Sequence, residues 1–134
     1  YHFGRGHTNG DTFIVFTALR TMHMGDMFPW KDAPFLDLAN GGSGVEMPRT
    51  LDRLIKGVSN VDTIIGGHLP NQQWKDLVEY QRFNTDLLAE VQAAKKAGKS
   101  VEEAAASIDL TKKYAGYEST RTRAAIEAIY RELP

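Results

Sequence analysis

Short β-branched or apolar runs that stop at a glycine, each with a metal-type ligand beside that glycine, constrain this chain more than any other feature. Thr21 to Met24 leads into Gly25-Asp26, and Val61 to Ile65 leads into Gly66-Gly67-His68. A third ligand stands in Gly6-His7-Thr8, within a Gly-rich loop (Gly4 to Gly10) that follows the strand-like Tyr1 to Phe3. Imidazole and carboxylate groups on strand-end loops are what a hydrolytic zinc site needs: borderline ligands held rigidly, with backbone room for a substrate.

The runs predict strands because they are short and rich in β-branched and aromatic residues. Thr12 to Leu19, with Phe13, Ile14, Val15 and Phe16 in succession, is expected as a buried strand joined by a tight Ala18-Leu19-Arg20 connection to the strand Thr21 to Met24. Met27 to Gly44 has no periodicity and reads as a long loop of the kind that carries function. Leu51, Leu54, Ile55 and Val58 then form a helical stripe, with Pro48 near its first turn. Beyond residue 70 the pattern is helical. Asn71 is expected to cap a helix whose apolar face includes Trp74, Leu77, Val78, Phe83, Leu87 and Val91, stopped near Gly98. Ser100-Val101-Glu102-Glu103 fits a capping box, and Ile126, Ile129, Tyr130 and Leu133 mark a terminal helix. The order β-β-helix-β-helix predicts an α/β layer whose ligands gather at one sheet edge.

Composition narrows the function classes. Sixteen Lys and Arg against seventeen Asp and Glu leave a formal net charge of -1, so there is no basic footprint for nucleic acid or anionic membrane. The absence of cysteine removes thiolate catalysis, disulfides and zinc-finger readings together. No apolar run approaches the ~20 residues of a membrane span. The chain reads as soluble, with cytoplasm and periplasm both open.

Residue by residue, several bland readings compete with a site. His2 and His23 lie within strands and read as packing or supporting histidines. Asp11 reads as a turn aspartate before the strand. Gly41-Gly42-Ser43-Gly44 is either an anion cradle of backbone N–H groups or a flexible link. Phe28, Trp30 and Phe35 either wall a substrate pocket or fold their loop onto the core. Lys95, Lys96 and Lys99 read as a solvated helix end, and Arg121 and Arg123 as plain surface.

Taken in order, Gly6-His7-Thr8-Asn9-Gly10-Asp11, His23-Met24-Gly25-Asp26 and Gly66-Gly67-His68 resemble the metallo-β-lactamase fold superfamily. The match is to the C-terminal half of that αββα sandwich, over about residues 1–70, with residues 71–134 resembling the helical C-terminal extension of some members. The resemblance implies that His7 holds the first zinc, that Asp26 bridges both zincs and takes part in catalysis, and that His68 holds the second; iron or manganese would also suit such a donor set. It further implies hydrolysis of an ester, thioester, lactone or similar bond in a small-molecule substrate.

The superfamily's His-x-His-x-Asp-His motif belongs to the N-terminal half and is absent here. By this reading the chain alone is inactive, and the inner sheet face needs cover from the missing half or from a second copy of the chain. The rival reading is a non-catalytic, self-associating α/β module with vestigial ligands.

Overall fold

Alternation along the strands decides which apolar residues reach the core. The computed structural model, which describes residues 1–134, contains a four-stranded mixed sheet. Its strands β1 (Ile14–Phe16), β2 (Thr21–Gly25), β3 (Thr63–Gly66) and β4 (Gln72–Gln73) lie side by side in that order. β1 and β2 are antiparallel, β2 and β3 parallel, and β3 and β4 antiparallel. A parallel pair needs a crossover, and here the crossover carries the long loop and helix α1 (Met47–Gly57). Helices α2 (Trp74–Lys96), α3 (Val101–Ser107) and α4 (Thr122–Glu132) follow the sheet.

One row of paired residues, Val15, Met22 and Ile64, faces the helices, and Met22 and Ile64 are fully buried. The next row, Ile14, His23 and Ile65, faces the other way. Ile14 and Phe16 on that side are 51% and 47% exposed. The expectation of a buried strand over residues 12–19 is therefore corrected. Helices cover only one face of the sheet, so a run that is apolar on both faces leaves half of its side chains in the open. Its end is also not extended: Thr17–Leu19 forms a 3-10 turn, closed by Arg20 in the left-handed region at φ 49°.

Other boundaries shift for local reasons. Tyr1 to Phe3 forms no regular strand, although the Phe13 N–H donates to the Tyr1 carbonyl and the Tyr1 and Phe3 rings stack at 5.6 Å. Val61 precedes β3 as a buried anchor rather than opening it. The cap of α2 is Gln73, in a reciprocal box with Asp76, because Gln72 and Gln73 first pair with β3. The capping box at Ser100 and Glu103 forms as the sequence predicts.

Residues on both sides of position 70 share one core of 26 buried apolar residues. At its centre Phe28, from the long loop, stacks on Tyr80 of α2 at 4.3 Å, and Phe83 stacks on Tyr117 at 4.6 Å. Such ring contacts add to the area buried, so α2 clamps the loop that follows β2. No helix is long and apolar enough to cross a membrane.

The hydroxyls of Tyr80 and Tyr117 are buried without a hydrogen-bond partner. Burial pushes both phenols above their ordinary value of 10.0. The folded chain thus keeps protons that the unfolded chain releases. The associated stability is intact below about pH 10 and falls as pH rises beyond it. Tyr80→Phe deletes one unpaired hydroxyl, so urea unfolding at about pH 7 should show a gain of about 1 kcal/mol. A loss of stability there would mean that the hydroxyl has a partner in solution.

Candidate functional site

Two strand ends and one loop build the site. β2 and β3 run parallel, so their C-terminal ends lie at the same sheet edge, with an irregularity between His23 and Gly25 that turns the chain outward. Gly25 sits at φ 51°, which glycine adopts without strain. Backbone bonds then tie the two strand ends together: the Gly67 N–H donates to the Phe28 carbonyl at 3.3 Å and the His68 N–H to the Pro29 carbonyl at 3.0 Å. The approach is so close that a Cβ on Gly66 would lie 2.2 Å from the Phe28 carbonyl oxygen. A Cβ on Gly67 would lie 2.1 Å from Oδ1 of Asp26. Gly66 and Gly67 are thus there for close contact, and Gly25 for its backbone conformation.

The loop bearing His7 is fixed from several directions. Its carbonyl accepts from the Asp37 N–H at 2.9 Å, and the neighbouring Gly6 carbonyl accepts from the Ser43 N–H at 2.8 Å. The His7 N–H points at Sδ of Met27, 3.4 Å away, one residue past Asp26. Its Nδ1 lies 3.1 Å from Oδ1 of Asp11, whose Oδ2 accepts from the Thr8 N–H. Asp11 is therefore both the turn aspartate expected from the sequence and the group that orients the ring. A carboxylate on Nδ1 favours a proton there and leaves Nε2 as a lone-pair donor.

All three predicted ligands meet. Nε2 of His7 is 3.9 Å from Oδ2 of Asp26, and Nε2 of His68 is 3.2 Å from Oδ1 of the same carboxylate. Each imidazole addresses its own oxygen. As the side chains stand, no three donors close around a single point. Two imidazoles and one carboxylate nevertheless supply donor types that suit a divalent metal such as zinc. His7 is mostly buried, Asp26 is one-third exposed and His68 is 62% exposed, so the site opens to solvent on the His68 side.

The other histidines stay apart from this cluster. His23 is exposed on the open sheet face, and His2 contacts the Asp11 carbonyl. Asp37, near His7, has its carboxyl held below the usual range, chiefly by the Asn40 side-chain amide, with a smaller contribution from His7.

The glycine cluster at 41–44 does cradle an anion, but the anion belongs to the protein. The Ser43 hydroxyl and the Gly44 N–H both donate to the Glu132 carboxylate at the end of α4. Gly44 has no room for a Cβ, which would lie 2.4 Å from Cγ1 of Ile129. The last helix is thereby fastened to the loop that holds His7.

Of the three loop aromatics, Phe28 is core, Phe35 is half-exposed beside His7, and Trp30 stands against His68 at 5.8 Å between ring centres. A cleft of about 540 Å³ opens there between residues 30–32 and the segment around 116–121. Arg121 lies in this cleft with its guanidinium 3.6 Å from the Trp30 ring centre, so its reading as plain surface is corrected. The contact joins segments far apart in sequence, and nothing in local spacing announces it. Asp32 organises the junction: it is buried, and its carboxylate accepts from the Thr120 hydroxyl, the Arg121 N–H and the Ala33 N–H.

No protein-family model matches the sequence, and no curated protein matches it either.

The glycine contact at position 67 gives a direct test. Gly67→Ala pushes a methyl group into the Asp26 carboxylate, the movable end of a side chain, so the fold should survive with a loss below about 2 kcal/mol. The His68 ring should lose its contact with that carboxylate, so its imidazole ¹⁵N signals should shift while those of His2 stay in place. Unchanged His68 signals would show that the Asp26 carboxylate does not stand against that ring.

Proposed function

We propose that this chain is the C-terminal half of a dinuclear, zinc-type hydrolase with a metallo-β-lactamase-like sandwich, active on an ester, thioester, lactone or similar bond. The observation that carries the reading is the split use of Asp26, one carboxylate oxygen toward each imidazole. In this reading His7 and Asp26 would hold the first ion and Asp26 and His68 the second, and further ligands would come from an N-terminal half. Zinc is the best match to the imidazole and carboxylate donors, with iron or manganese as substitutes. The bound ions would supply Lewis acidity and a nucleophilic water near neutral pH.

The chain's own residues have separable tasks. Asp26 would be the carboxylate shared by both ion positions and would take part in catalysis as an acceptor for the attacking water's proton. Asp11 sets the His7 tautomer and keeps that ring from turning. The Trp30 ring limits the movement of the exposed His68 and borders the cleft through which a small-molecule substrate enters.

The open sheet face supports the same reading. Ile14 and Phe16 form an apolar surface with no cover in the chain, as expected where the other half of a sandwich packs. The same face equally supports the second reading, a self-associating α/β module without catalysis in which a second copy covers Ile14 and Phe16.

A coding segment upstream of Tyr1 that carries His-x-His-x-Asp-His, expressed jointly with this chain, provides the test. The joined protein should hydrolyse a panel of esters, thioesters and lactones in a zinc-dependent way. Asp26→Ala should lower kcat/KM at least about a thousandfold, and His23→Ala less than about tenfold. Hydrolysis indifferent to Asp26→Ala, or complete zinc loss in His23→Ala, would contradict the assignment.

A further inference from the structure

Arg121 occupies an unusual position for a surface arginine. Its guanidinium lies flat enough on Trp30 to bring Cζ within 3.6 Å of the ring centre. Trp30 is itself immobilised, because its Nε1–H donates to the Ala33 carbonyl at 2.8 Å. Backbone anchoring is equally firm, since the Arg121 N–H donates to the buried Asp32. A guanidinium stacked on a ring keeps its N–H fork in the plane, pointing outward, and loses little further freedom when it binds a carboxylate or phosphate bidentately.

The charges around it are already committed, with one exception. Lys31 pairs with Asp76 and Glu79, outside the cleft. The Asp32 carboxylate is satisfied by its three donors. Arg121 and Glu118 enter no ion pair. Of these two only Arg121 has its side chain held by a contact, so only Arg121 is preorganised for a ligand. The same cleft is bordered by His68.

We propose that Arg121, held on Trp30, is the recognition group of this cleft for an anionic ligand, so that the substrate carries a carboxylate or phosphate group apart from the bond that is cleaved. The identity of the ligand as substrate rests on the hydrolase reading; the anion site itself does not. Arg121 is then a specificity-determining residue supplied by the helical region, and the cleft selects anionic esters over neutral ones.

Titration of the ¹⁵N-labelled chain with phenyl phosphate, benzoate and benzylammonium tests this, with the Trp30 indole N–H as the reporter. One or both anions should shift that signal saturably, and whichever binds more tightly names the anionic group. Arg121→Gln should weaken binding at least about tenfold, with Arg121→Lys intermediate because it keeps the charge but not the fork. Glu118→Gln should bind the anion at least as well as the original chain. Anion binding unchanged in a well-dispersed Arg121→Gln spectrum, no saturation by either anion, or saturation by benzylammonium alone would overturn the proposal. Zinc titrated into the same variant joined to its N-terminal half separates the two readings, since Arg121→Gln removes no metal donor and should bind zinc as the original sequence does. In the original sequence, zinc binding without saturation by either anion sinks this inference alone; anion binding without any zinc binding in the joined protein sinks the metal reading alone.

Discussion

The backbone junction between the ends of β2 and β3 is the constraint on which the rest of the site depends. Two hydrogen bonds, from Gly67 to Phe28 and from His68 to Pro29, draw the strand-end loops into contact. The contact leaves no room for a side chain at Gly66 or Gly67. It sets His68 against one oxygen of Asp26, and the buried stack of Phe28 on Tyr80 prevents the loop from lifting away. The core, the sheet register and the site are in this sense one assembly. A change in the packing of α2 reaches Asp26 through Phe28 and Met27, the one residue between them.

The site is also fastened from its far side. Glu132 at the end of the last helix holds the 43–44 backbone, and Ser43 in turn holds the loop carrying His7. Arg121, at the start of that helix, lies on the ring that contacts His68. The helical region therefore acts on both imidazoles, through opposite ends of α4. An added helical segment that only filled space would not need to reach both. The loops that bear His7 and Trp30 are thus held by residues more than 50 positions beyond His68 in the sequence.

Much of this was legible in the sequence, and the reasons for the misses are physical. Glycine beside His7, Asp26 and His68 marked the three residues that come together, because close approach at Gly6 and Gly67 and the positive φ of Gly25 all demand glycine. The capping box at Ser100 and the stripe of α1 follow from local chemistry and were equally readable. The run at 12–19 misled because hydrophobicity reports what a strand prefers to bury, not how many layers are present to bury it. Asp11, Glu132 and Arg121 escaped for a different reason. Each acts through a partner fixed by tertiary folding, and a carboxylate or guanidinium looks the same in sequence whether it faces water or orients a ring. Only Asp11, four residues from His7, had a spacing that could have exposed its second role.

The central claim is that His7, Asp26 and His68 form one ion-binding unit. Long-range ¹H–¹⁵N spectra of this chain's four imidazoles, recorded as zinc is titrated into the protein joined to its N-terminal half, test it most directly. The account predicts that the Nε2 signals of His7 and His68 move together toward metal-bound values, that those of His2 and His23 stay in place, and that Asp26→Ala abolishes both movements. Zinc shifting His23 or His2 instead, or moving His7 and His68 independently of Asp26, would contradict it.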